Sequence, residues 1–234
     1  MRRPIRAEAF LGQLPLFGGL SAEVLTRLAA ATTRRELRRG EILFREGDAP
    51  SGFYIVVHGR VALTAGARNA RERVAEIVGA GRSFGEPIMF LEKPYIVGAR
   101  ALSDCLVLHV ARDAVFAELD RNPALARRMI ANLSAKLHST VQEVELNALG
   151  TGSQRFAAWL LKSLPAAKAG AAAVTLPAAK KTVASRLNLS AEHLSRILGQ
   201  LSAAGLIRVR GRNVEIPDTA RLRDACRPGL DSGR

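Results

Sequence analysis

Residues 180–199 read KKTVASRLNLSAEHLSRILG, and this stretch decides how the C-terminal part of the chain is built. Val183, Leu187, Leu194 and Ile197 recur at helical intervals, and small Ala184 stands where two helices must cross closely. Asn188 and Leu189 interrupt the run, and Asn tolerates the left-handed backbone that a tight turn between helices needs. Ser190 is placed to cap a second helix, whose outward positions are then Ala191, Glu192, Ser195 and Arg196, and Ser190 with these four are the candidate DNA contacts of the helix. The pattern predicts a helix-turn-helix whose second helix is free to enter a DNA groove.

The same pattern also matches an ordinary helical hairpin, and the flanking sequence separates the two. Residues 174–176 read as a short strand before Pro177, and 206–209 with 214–216 read as a hairpin turning at Gly211, Arg212 and Asn213. A small sheet beside a helix-turn-helix is a winged arrangement. It places Lys180, Lys181, Arg208, Arg210 and Arg212 to meet phosphates.

Charge agrees with this placement. The 234 residues carry a formal net charge of +14. Residues 151–234 hold 14 Lys or Arg against 5 Asp or Glu, net +9, whereas residues 1–150 hold 21 against 16, net +5. The excess travels with the helix-turn-helix and points to double-stranded DNA as partner; the alternative is that it only keeps an Ala- and Arg-rich chain soluble. No apolar run reaches about 18 residues, and the basic start at 1–6 leads into Glu8. Neither a membrane span nor a signal peptide is therefore expected, and the expected compartment is the cytoplasm. Cys105 and Cys226 are too few and too separated for a thiolate cage, so no structural zinc site or four-cysteine iron-sulfur cluster is expected. Cys105, in the apolar run 105–110, reads as a small buried hydrophobe.

Toward the N-terminus a helix is predicted at 21–31, capped by Ser21 with Val24, Leu25 and Leu28 on its apolar side. Short strands follow at 42–44, 53–57, 61–63, 74–78, 97–102 and 105–110, with Gly40, Gly47, Gly59, Gly79, Gly81 and Gly85 between or beside them. Such punctuation predicts an antiparallel β-roll or jelly roll that encloses something. From Pro123 the apolar period changes to nearly four: Leu125, Met129, Leu133, Leu137, Val141, Val144 and Ala148 form one stripe. A helix over 123–149 is roughly 40 Å long at 1.5 Å per residue, more than a small roll covers, so part of the stripe needs a second subunit. The alternative is an intramolecular core helix. Residues 150–153 read as a polar hinge, 154–164 as a helix, and 166–173 as a loop of low complexity. The expected fold is thus α+β: a sensor domain over 1–122, a dimerisation helix over 123–149, a hinge at 150–153 and a winged helix-turn-helix domain over 154–234.

A glycine-punctuated roll, a long helix and a winged helix-turn-helix in this order resemble the CRP/FNR superfamily of bacterial transcription regulators, over roughly residues 15–217. Gly40, Gly47-Asp48, Phe53-Tyr54-Ile55-Val56, Gly59 and Phe84-Gly85-Glu86 resemble its sensor landmarks, and Asn122-Pro123 resembles the start of its dimer helix. The resemblance implies a cyclic-nucleotide-binding-like roll, a homodimer, and RNA polymerase as a further partner.

The cyclic-AMP branch holds its nucleotide phosphate with an Arg-Ser or Arg-Thr pair about ten residues after Gly-Glu. Counted from Gly85-Glu86, those places hold Ile96 and Val97. An aliphatic pair leaves a buried phosphate uncompensated, at several kcal/mol, so cyclic AMP is not expected as effector. Arg100 reads more simply as a surface or inter-strand charge than as a substitute. The iron-sulfur branch needs N-terminal cysteines, and 1–20 has none. Residues 86–90 and 94–97 resemble the apolar cassette of the dissimilatory nitrate respiration regulators, and 133–138 resemble their dimer helix. That branch implies nitric oxide sensed through haem, with Gly85, Glu86, Met89, Phe90, Ile96 and Val97 around the effector. The same cassette also reads as ordinary core, and His58, His109, His138 and His193 stand isolated in the sequence.

Glu192-x-x-Ser195-Arg196 resembles the FNR-type reader and implies half-sites like TTGAT and ATCAA. Arg can donate twice to guanine, Glu can accept from a cytosine amino group and Ser can contact a thymine edge. Two rivals stand beside this reading. A cupin-like metal enzyme needs clustered His and carboxylate ligands, which His58 and His109 lack. An architectural DNA-binding protein would use the roll only to assemble the dimer.

Overall fold

The computed structural model describes residues 7–66, 73–149, 151–164 and 170–225. The basic start, Gly150, residues 166–169 of the low-complexity loop and Cys226 lie outside them, as does the side chain of Ala148 in the apolar stripe. The chain forms two compact units, Met1–Leu137 and His138–Arg234, and no helix among the described residues is long and apolar enough to cross a membrane.

In the first unit α1 (Ala7–Gly12) and α2 (Ala22–Ala30) precede β1 (Thr32–Leu37), β2 (Ile42–Phe44), β3 (Gly52–His58), β4 (Arg60–Ala65), β5 (Arg73–Gly79) and β6 (Ser83–Phe84). Then come α3 (Glu86–Leu91), β7 (Gly98–Ala101), β8 (Cys105–Ala111), α4 (Arg112–Arg121) and the first part of the long α5 (Pro123–Leu149), whose residues from His138 on belong to the second unit. The strands make two antiparallel sheets, ordered β1-β8-β3-β6 and β2-β7-β4-β5. Their facing sides close over Val56, Val107, Val61, Val78, Phe84 and Ala99. The other side of the first sheet, through Phe53, Ile55, Leu108 and Val110, packs on Val24, Leu28, Met89, Val115, Leu125 and Met129 of the helices. Burial on both sides explains why β8 reads as a continuous apolar run instead of alternating.

The strands expected from glycine punctuation are present, and Ser21 caps α2 by accepting from the Val24 amide at 3.4 Å. Strand β1 was not expected, since Thr33 to Glu36 are exposed and show no alternation. Helix α4 and the short α3 were not expected either. Gly59, at φ +86°, joins β3 to β4 where a Cβ would strike the Asp104 carbonyl and the Cys105 sulfur.

Helix α5 spans the expected range and opens with the Asn122 carboxamide accepting from the Ala124 amide at 3.0 Å. The stripe divides. Leu125 and Met129 are buried in the first unit's own core, which corrects their assignment to a partner-facing surface. Leu133 is half-buried, whereas Leu137, Val141 and Val144 are exposed, and so is Ile130, which was not in the expected stripe.

In the second unit α6 (Gly152–Lys162) leads to β9 (Ala172–Thr175), α7 (Lys180–Arg186), α8 (Ala191–Ala203), β10 (Arg208–Arg210), β11 (Asn213–Ile216) and α9 (Thr219–Ala225). Thr151 and Gln154 form a reciprocal capping box, so α6 starts at Gly152 and takes in two residues expected to be hinge. A Cβ on Gly152 would stand 2.9 Å from Ile197 and 3.2 Å from His193 of α8. Phe156, Leu160, Val183, Leu194, Ile197, Ile207, Val214 and, from the unexpected α9, Leu222 build one core.

Candidate nucleic-acid interface

Helices α7 and α8 form the expected helix-turn-helix. Asn188 adopts φ +56°, and the Leu189 amide donates to the Ala184 carbonyl at 2.9 Å, closing the turn. Ser190 caps α8 by accepting from the His193 amide at 3.1 Å, so its oxygen already has a structural task. Leu194, Ile197, Leu198 and Leu201 are buried, while Ala191, Glu192, Ser195 and Arg196 are exposed together on the opposite side. The Ser195 hydroxyl donates to the Ala191 carbonyl at 3.0 Å, leaving its lone pairs outward.

Beside this helix the sheet β10-β11-β9 forms the wing. Arg210 pairs with Asn213, so the turn holds only Gly211 and Arg212; positive φ falls on Gly211 alone, as a type II′ turn requires. Arg208 and Arg210 are exposed, as are Lys180 and Lys181 in the first turn of α7. Arg212 is different. Also exposed, it has its Nε and Nη2 donating to the Leu176 carbonyl at 3.1 and 2.6 Å, which fastens the wing turn to the residue that follows β9.

The expected effector cassette is not one pocket. Gly85 takes φ +95° at the start of α3, and Glu86 next to it is fully buried. Its carboxylate accepts from Lys136 Nζ of α5 at 2.9 and 3.1 Å and from Asn132 at 3.4 Å, while Lys136 also donates to the Ser83 carbonyl at 2.8 Å. Met89 is buried in the helix-side core and Phe90 stacks on Phe116. Ile96 is 71% exposed and Val97 half-buried. Facing into the roll instead is Tyr95, stacked on Phe44 with ring centroids 3.8 Å apart, beside Tyr54 and Phe84. Burial pushes the Tyr95 and Tyr54 phenols up. The grouping of Met89, Phe90, Ile96 and Val97 around one ligand is therefore corrected: two serve packing beneath the sheet and one meets solvent.

Two family models match this chain. One, for the cyclic nucleotide-binding domain, covers residues 34–122, and one, for the Crp-like helix-turn-helix domain, covers residues 154–225. A crystal structure from Ruegeria pomeroyi, provisionally described as a cyclic nucleotide binding protein, is 32% identical, covers 94% of this chain and 97% of its own, and superposes with a TM-score of 0.64. The chain belongs to the CRP/FNR family. It is 28% identical to the cyclic AMP receptor protein of Thermus thermophilus, over 90% of this chain and 95% of that one. It is 29% identical to DNR from Pseudomonas aeruginosa, over 96% and 99%, with a TM-score of 0.52. With its Crp-like helix-turn-helix domain, the CRP/FNR protein described here is a DNA-binding transcriptional regulator, not an enzyme.

Within this CRP/FNR chain the histidines stay apart. His109 hydrogen-bonds to Ser51 at 3.1 Å and packs on Tyr54; burial, and Arg35 after it, hold its imidazole below the usual value. His138 and His193 are exposed and His58 is half-buried. Among the described residues no three His, Cys, Asp or Glu side chains group to hold a metal ion. The sequence reading missed Lys136, the partner of Glu86. The only available signal was that Asn132 and Lys136 lie four apart on one helical side.

Proposed function

We propose that the protein is a homodimer that reads an inverted repeat of the TTGAT-N4-ATCAA type and responds to a signal other than a cyclic nucleotide. The observation that carries the reading is the placement of Glu192, Ser195 and Arg196 together on the exposed side of α8. Arg196 donates to guanine, Glu192 accepts from cytosine, and Ser195 meets a thymine edge, while Lys180, Lys181, Arg208 and Arg210 hold phosphates. Ile130, Leu137, Val141 and Val144 supply the apolar seam for a second copy of α5. RNA polymerase is the further partner the family resemblance implies.

Signal transfer is a population shift. Glu86 and Lys136 tie α3 to α5, so a ligand that reorders the residues around Gly85 changes how the long helix is held. Nitric oxide through haem is the effector that the resemblance of residues 86–97 to the dissimilatory nitrate respiration regulators puts forward. The residues do not fit haem well, because Met89 and Phe90 are committed to packing and Ile96 faces solvent; no step is routed through it. A second reading, response to cyclic AMP, has the Thermus thermophilus relative in its favour. Against it stand the aliphatic Ile96-Val97 pair and the engagement of Glu86 by Lys136.

Selection of bound sequences from random duplexes tests the reading, run alone, with cyclic AMP, and with haem plus nitric oxide. Arg196→Ala should relax the choice at its guanine and weaken specific binding by about 1–3 kcal/mol. A variant that selects the same sequences as tightly refutes the base-reading assignment. Selection that tightens with cyclic AMP refutes the effector assignment, and a Soret band on haem addition restores the haem reading.

A further inference from the structure

We propose that Gly199 is a clearance position, whose missing side chain lets the sugar-phosphate backbone of the duplex close onto the C-terminal half of α8. The inference rests on α8 being the recognition helix. Gly199 is exposed, two-thirds of the way along that helix. At about 100° per residue it projects within about 20° of Glu192 and between Ser195 and Arg196, on the side opposite the buried Leu194, Ile197 and Leu201.

Glycine is a poor choice inside a helix, since ordering its backbone loses more freedom than ordering that of alanine. Other glycines of this unit have a visible reason. Gly205 and Gly211 take positive φ, and Gly152 lies where a Cβ would press on Ile197. Gly199 shows neither: its φ is not positive, and a Cβ built on it meets nothing within 4 Å. The protein makes no internal use of the space, so the space serves what approaches from outside. In a helix-turn-helix the N-terminal residues of the recognition helix reach base edges. Two turns beyond Glu192, the surface nearest the helix is sugar and phosphate. A methyl group there holds the backbone off and weakens every contact that depends on close docking.

The test uses the full-length chain, a duplex carrying the TTGAT-N4-ATCAA repeat, and the variants Gly199→Ala and Gly199→Leu. Gly199→Ala should raise the melting temperature by about 2 °C, because the helix gains propensity. It should weaken duplex binding about tenfold through overpacking at a closed interface. Gly199→Leu should weaken binding further, and neither variant should alter which bases are selected. Unchanged affinity in both variants overturns the proposal, as does a loss of affinity accompanied by a lower melting temperature. A changed preference at one base position overturns the assignment to the backbone. Arg196→Ala is measured in parallel: if it leaves sequence choice intact, the recognition-helix reading has failed independently of Gly199.

Discussion

Replacing Lys136 by methionine isolates the buried ion pair between α3 and α5. Glu86 is fully buried, whereas the Lys136 side chain is 23% exposed. Removing the cation leaves a carboxylate with only the long Asn132 contact at 3.4 Å and strips the Ser83 carbonyl of its donor. Breaking a buried pair from one side costs about 3–5 kcal/mol. Solvent access along the lysine lowers the expectation here to about 2–4 kcal/mol, a fall in melting temperature of about 5–15 °C at this chain size. Glu86→Gln should cost less, because the lysine left behind can turn toward water while the carboxylate cannot. The double variant Glu86→Gln/Lys136→Met should recover part of the loss, since no buried charge then lacks a partner. Urea denaturation of all four proteins gives the coupling. A loss under about 1 kcal/mol for Lys136→Met, or a double variant no better than that single one, refutes the claim that a desolvated charge is what the lysine satisfies.

Asn188→Ala should destabilise the helix-turn-helix by about 1–2 kcal/mol, because alanine resists φ +56°, while Asn188→Gly should be nearly neutral; thermal melting distinguishes them. His109 binds its proton less readily when folded than its ordinary 6.5. As pH falls below about 6.5 the unfolded chain takes up a proton that the folded chain refuses, so stability is full above that value and declines below it. Urea titrations across this range should show a flatter acid limb for His109→Gln; identical limbs count against the assignment. Leu137→Glu should convert the proposed dimer to monomer in sedimentation with helix content unchanged, and a dimer that survives it removes α5 as the seam.

Strands and helices with one solvent-facing side were legible in the sequence, and those whose character comes from their neighbours were not. Val183, Asn188, Ser190 and Leu194 announced their turn and caps because helix-turn-helix geometry is local. Thr33 to Glu36 gave no strand signal, since β1 is a sheet-edge strand held by its hydrogen bonds to β8 while its side chains meet water. Leu125 and Met129 share the period of Leu137 and Val141, and periodicity cannot say whether an apolar residue meets its own core or another subunit. Around Glu86 the motif was visible and its environment was not. The spacing located Ile96 and Val97, yet it was Tyr95 that turned inward onto Phe44. The contact of the Arg212 guanidinium with the neighbouring Leu176 carbonyl was not legible, because it joins residues far apart in the sequence.

The bare Cα of Gly152 sets the first turn of α6 directly against Ile197 and His193. With no side chain between them, the two helices share a bearing without slack. Even one added methyl would act as a shim, changing the angle at which the head is carried.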